Sequence, residues 1–153
     1  ETQLPTRWID QGATQAKPIA RVQTRYFSGL LEVLIAKEVG DRTAWQTMLK
    51  GNGADQDLEH IRQQLMTNCA QGIADLQSQH GKAAFELLED APETRIAYPV
   101  LSWPEKVKAH NFDKQAVVEG TLMGIKGQYL MLDTGVLNMR KFGGYEVEIK
   151  VAA

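Results

Sequence analysis

A single cysteine, Cys69, stands in 153 residues. One thiol can neither close an internal disulfide nor supply a cysteine-rich zinc site, so the expected compartment is the cytosol. Long hydrophobic runs are missing too: nothing approaches the roughly 18 apolar residues of a membrane span, and ETQLPTRWID lacks the layout of a signal peptide. No membrane partner is expected. Nor does one sign of charge dominate. Seventeen Lys and Arg face nineteen Asp and Glu, a net charge of −2, so the whole molecule has no field that would gather nucleic acid. His60, His80 and His110 are far apart, and none stands at metal-ligand spacing with another His or with Cys69. There is no Gly-x-Ser-x-Gly, no P-loop and no dinucleotide fingerprint, since Gly51-Asn52-Gly53 has no strand before it. Triad hydrolysis, zinc hydrolysis and nucleotide cofactors therefore find no support.

What is present is an ordinary globular composition, 43% hydrophobic and 24% charged. The charge is uneven along the chain: residues 1–40 carry five bases and four acids, 41–90 four and eight, and 91–153 eight and seven. A phosphate backbone, if one is met, is met by the two ends.

The pattern of residues predicts an α+β fold, with an N-terminal helix-strand-helix core, an amphipathic helical middle and a small antiparallel β-meander. Thr6 to Gln11 reads as a short helix opened by Pro5 and ended by Gly12. Ile19 to Tyr26 alternates as a strand, which puts Arg21 and Arg25 on one face. From Ser28 as N-cap to Val39 the chain is apolar on nearly every side, a buried helix. Asp41 caps a short helix through Leu49. Asp57 to Gln79 sets Leu58, Ile61, Leu65, Cys69, Ile73 and Leu76 on one stripe, so Cys69 is a small buried hydrophobe rather than a nucleophile. Lys82 to Leu88 is a last helical piece. After Asp90 come Pro92, Pro99 and Pro104 in an extended connector anchored by Trp103. About four strands follow: Val117–Ile125, Gln128–Leu132, Val136–Lys141 and Tyr145–Val151, with turns at Lys126-Gly127, Asp133-Thr134-Gly135 and Gly143-Gly144. The expected domains are a helical core over 1–90, the connector over 91–115 and the meander over 116–153.

Within the first 40 residues Glu32 is a lone carboxylate in Gly29-Leu30-Leu31-Glu32-Val33-Leu34-Ile35-Ala36. Unpaired and ionised in a buried helix it would cost several kcal/mol, so it must be paired, bind a cation, raise its pKa or sit at a cleft rim. Arg7, Arg21 and Arg25 are the partners to consider. A carboxylate beside guanidinium groups suits Mg²⁺-assisted phosphate chemistry, and equally a structural salt bridge. Arg7-Trp8-Ile9-Asp10 offers a phosphate or base contact backed by an aromatic ring, or simply two core residues between two solvated ones.

The stretches ETQLPTRWIDQGATQAKPIARVQTRYFSGLLEVLIAKEV and EGTLMGIKGQYLMLDTGVLNMRKFGGYEV resemble the bacterial family called domain of unknown function 2797, with TRWIDQGA and GIKGQYL the most specific strings. Members of that family are longer at the N-terminus, with cysteines and a hairpin, so the resemblance implies that this chain is a C-terminal portion. More distantly, the order of helix with Arg, strand, and helix with Glu is similar to the GIY-YIG nuclease core. That similarity implies Arg7 at the scissile phosphate and Glu32 as the metal-binding acid, while the two tyrosine-bearing strands of the superfamily would lie upstream of Glu1. Two functions are therefore expected. One is a Mg²⁺-dependent nucleic-acid phosphodiesterase with catalytic Arg7 and Glu32, and Arg21 and Arg25 along the phosphate path. The other is a non-catalytic module that binds DNA, RNA or a protein, with Lys126, Arg140 and Lys141 of the meander making the contacts.

Overall fold

A computed structural model describes residues 6–40, 44–51 and 53–151. The elements are α1 (Thr6–Asp10), β1 (Gln15–Ala16), β2 (Ala20–Val22), α2 (Arg25–Ile35), α3 (Trp45–Met48), α4 (Leu58–Asn68), α5 (Ala70–His80), β3 (Phe85–Leu87), β4 (Thr94–Arg95), β5 (Leu122–Lys126), β6 (Tyr129–Leu132) and β7 (Gly135–Asn138). The architecture is α+β. Pro5 and Asp41, given start and cap roles above, lie outside the described residues. Contacts group the chain into two interleaved units, one of Glu1–Ala13, Trp45–Gly53 and Ala97–Ala153 and the other of Thr14–Ala44 and Ala54–Ile96, whereas the sequence reading is sequential. No described helix is long and apolar enough to cross a membrane.

The helical unit is built on α2, α4 and α5, with β2 paired antiparallel to β3 and β1 to β4. Its core gathers Leu31, Cys69, Ile73, Ala84 and Phe85, with Phe27, Leu34 and Ile35 packed against them. Four expectations are corrected here. The strand stops at Val22 because Thr24, not Ser28, caps the helix: its hydroxyl accepts from the Phe27 amide at 3.3 Å. Arg25 is thus the first residue of α2 and shares no strand face with Arg21. The helix also ends at Ile35, and only one side of it is covered: Leu31 is buried, Glu32 is exposed and Val33 is 67% exposed. The stripe Phe27, Leu31, Leu34, Ile35 follows helical periodicity. The single expected helix over 57–79 is broken at Cys69, whose N–H is shared between the Leu65 and Thr67 carbonyls. Cys69 is 3% exposed, and burial raises its thiol pKa. Finally, Lys82 to Leu88 is a single 3-10 turn at Lys82–Ala84 followed by strand β3, which puts Phe85 opposite Val22.

In the other unit β5, β6 and β7 form an antiparallel three-stranded sheet in that order. Gly127 takes the first of the two turn positions with φ +58, and among the described residues no non-glycine has positive φ, which is the glycine placement of a type II′ hairpin. The inner face packs Met131 and Val136 on Leu49 and Tyr129, and Trp45 stacks on the Tyr129 ring at 5.6 Å. Three strands differ from expectation. The first begins at Leu122 rather than Val117, the third ends at Asn138 so that Arg140 and Lys141 stand on a 3-10 turn, and Tyr145–Val151 joins no ladder. The connector supplies what that fourth strand would have supplied. On the β5 edge the Leu101 amide donates to Met123 O at 2.8 Å, and the Ile125 amide to Pro99 O at 2.9 Å. On the β7 edge the Val136 amide donates to Lys108 O and the His110 amide to Val136 O, each at 2.8 Å. Trp103, the expected anchor, lies over Gly51 so closely that a Cβ there would be 2.5 Å from the ring.

The one-sided burial of α2 is testable by denaturant unfolding. Leu31→Ala should cost about 2–5 kcal/mol, whereas Val33→Ala should stay within about 0.5 kcal/mol. Equal large losses would restore the buried helix.

Candidate functional site

The residues expected to carry chemistry fall in both units. Arg7 is exposed on α1 in the meander unit, while Arg21, Arg25 and Glu32 are exposed in the helical unit. Arg21 pairs across the β2–β3 ladder with Glu86 at 3.6 Å. Glu32 accepts from the Ser28 hydroxyl one turn earlier, at 3.3 Å. Being exposed, it escapes the desolvation cost expected of a carboxylate in a buried helix. Arg140 and Lys141 are exposed on a 3-10 turn, Arg140–Phe142, where the Lys141 ammonium lies 3.9 Å from Asp113 and 5.0 Å from the Phe142 ring. Among the described residues no group of three or more His, Cys, Asp and Glu could hold a metal ion.

Lys126 stands apart, because it is only 5% exposed. Strand alternation explains the burial: Lys126 and Gly124 point to the inner face of β5. Its ammonium donates to the Met48 carbonyl at 3.2 Å and lies 5.1 Å from the Trp103 ring centroid and 5.7 Å from that of Tyr98. Burial lowers its pKa. The two strings TRWIDQGA and GIKGQYL meet here. A Cβ on Gly127 would lie 2.7 Å from the Asp10 carbonyl oxygen and 2.9 Å from the Gly12 nitrogen, and one on Gly12 would lie 3.5 Å from Lys126 Cγ. Tyr98 closes the cluster by donating its hydroxyl to the Ala13 carbonyl at 2.9 Å. Burial, and then the charge of Asp10, raises the Tyr98 pKa. Two ring faces and one carbonyl thus stand in for a carboxylate, each ring worth up to about 2 kcal/mol when desolvated. The amine is enclosed by its own chain, so its chemistry is that of a clasp between segments.

A second polar cluster was not foreseen. In the helical unit a cleft of about 680 Å³ is lined by Lys17, Glu59, Arg62, Met66, Leu87 and Pro92 among others. Arg62 grips the Glu59 carboxylate through Nη2 at 2.8 Å and Nε at 3.2 Å. Lys17 pairs with Glu59 at 2.9 Å and donates to the Ala91 carbonyl at 2.8 Å. The Arg62 and then the Lys17 hydrogen bond hold the Glu59 carboxyl down at about 2. Glu59 and Arg62 at i and i+3 on a helix was the available signal; Lys17, far away in sequence, left none. Both cations are committed to Glu59, so the cleft does not present them to a phosphate.

The family model described as a protein of unknown function, DUF2797, matches residues 1–147, and the chain belongs to that family. No curated protein and no solved structure matches it.

Two pH dependences follow. The lowered pKa of Lys126 means that between it and the ordinary value of 10.5 the unfolded chain binds the extra proton, so stability rises with pH across that window. Lys126→Met should therefore be neutral or stabilising at pH 7, and its advantage in melting temperature should shrink as pH approaches 10.5. Glu59 has the opposite sign: its contribution is present above 4.5 and is lost as pH falls through about 2. Acid titration of Glu59→Gln should show a flatter loss of stability than the wild type across that window.

Proposed function

We propose that this DUF2797 member is a non-catalytic binding module whose partner is a protein, engaged through the outer face of the meander. The observation that carries this reading is the composition of that face. Ile125, Leu130 and Leu137 stand opposite one another across the three strands, and Leu101 bonds alongside Met123 on the β5 edge. No charged side chain is in this row. The row is buried at Leu137 (5% exposed) but open at Ile125 (39%), and Leu101 beside it, opposite Met123, is 87% exposed; an apolar centre is what a protein interface requires. Phosphate binding needs free cations. Of the five bases expected to contact nucleic acid, Arg21 and Lys141 lie beside carboxylates and Lys126 is enclosed.

The Mg²⁺-dependent phosphodiesterase of GIY-YIG type is the second reading. It is favoured by the order of α1 with Arg7, β2, and α2 with Glu32. Glu32, exposed, would offer Mg²⁺ one carboxylate, and water would fill the remaining positions.

One set of measurements separates the two. Incubated with Mg²⁺ and DNA or RNA, neither the wild type nor Glu32→Gln should cleave, and anisotropy should detect no binding that weakens steeply with salt. Peptide display against the chain should instead select apolar segments whose binding Leu101→Asp abolishes with an unchanged melting temperature. Mg²⁺-dependent cleavage lost in Glu32→Gln would reverse the order of the readings.

A further inference from the structure

Residues 145–151 read Tyr-Glu-Val-Glu-Ile-Lys-Val, with one apolar and one charged face at strand periodicity. They form no ladder. The segment is fixed at its start, where the Tyr145 amide donates to Phe142 O at 3.0 Å, its ring stands edge-on to Phe142, and its hydroxyl donates to Asp113. Past that anchor Val147, Ile149 and Val151 are 38, 71 and 89% exposed. The connector already bonds to both edges of the chain's own sheet, at Met123 to Ile125 and at Val136. A segment patterned as a strand thus has, among the described residues, no backbone partner past Tyr145, and its apolar side chains are largely exposed.

We infer that this segment pairs, antiparallel, with the same segment of a second copy, with Ile149 on the two-fold axis. Charge selects that register. Centred on Ile149, Glu148 faces Lys150 of the other copy twice, and Val147 faces Val151 on the apolar side. Centred on Glu148, Glu146 would face Lys150 twice, but the two Glu148 carboxylates would meet on the axis. Centred on Val147, Glu146 would face Glu148 twice, and a parallel in-register pair would stack every charge on its equal. The isologous arrangement is the one expected of two identical chains. Glu148 and Lys150 already lie 3.5 Å apart along one face of the segment, as an extended backbone requires. A two-stranded ribbon is marginal on its own, so the association is weak and shows only at high concentration. This interface is separate from the outer face of the meander and does not depend on it.

Sedimentation equilibrium of the full chain, from low micromolar to near-millimolar, tests the inference. A reversible monomer–dimer equilibrium is expected. Lys150→Glu should weaken it about tenfold by setting Glu against Glu in both pairs. The double exchange Glu148→Lys/Lys150→Glu should restore it, because the facing charges are again opposite. Leu101→Asp should leave it unchanged. Circular dichroism checks that each variant is folded. A monomer at every concentration would overturn the proposal, as would a dimer that Lys150→Glu does not weaken or that the double exchange does not restore.

Discussion

A sheet of three short strands has two edges and two faces, and almost no stability until they are covered. Everything in the meander unit answers that constraint. The connector bonds to β5 through Pro99 and Leu101, crosses, and bonds to β7 through Lys108 and His110. One stretch of chain therefore occupies both edges, where Pro99 loses nothing by lacking an N–H because its carbonyl is the group employed. The inner face receives Leu49, and Trp45 on α3 stacks against Tyr129. Gly12 and Gly127 let the end of α1 and the β5–β6 hairpin come within backbone contact.

Lys126 is the cost of that closeness. The strand period places it inward, beneath Gly12, where an apolar residue would have been simpler. Its ammonium is held by a carbonyl on α3 and by two rings from the connector, three groups from two segments far apart in sequence. Such an amine is satisfied only when all three are in place, so it penalises any loosening of the cluster more than a leucine would. The pairing of TRWIDQGA with GIKGQYL is then a packing relation between two strings distant in sequence.

How far the sequence discloses this depends on the range of the interaction. The α+β class, α1 ended by Gly12, the buried Cys69 and the Lys126-Gly127 hairpin rest on local patterns and were legible. Thr24 against Ser28 was a choice between two competent caps, settled by the packing of Phe27 and Leu31. Lys82 to Leu88 has helical composition, yet Phe85 is drawn into a strand because β2 offers Val22 as its partner. Tyr145–Val151 has the strand pattern and lacks the neighbour. Lys126 looked like a surface base beside a turn, although its parity with Gly124 already pointed inward. Lys17 with Glu59 could not be read at all, since nothing local connects them.

The placement of the charges bears on the proposed reading. Glu32, the residue that first suggested phosphate chemistry, has apolar neighbours in the sequence; it stands instead on the exposed side of α2, where it accepts from the Ser28 hydroxyl. Arg21 lies against Glu86, Arg62 and Lys17 converge on Glu59, Lys141 lies beside Asp113, and Lys126 is enclosed. Cations with neighbouring carboxylates must give them up before they can meet a phosphate, and that exchange gains little. The exposed apolar rows lose only water when they bind. Under the proposed reading, Leu101 and Ile125, left open, suit recognition by shape and burial, with nearby charges setting register rather than affinity.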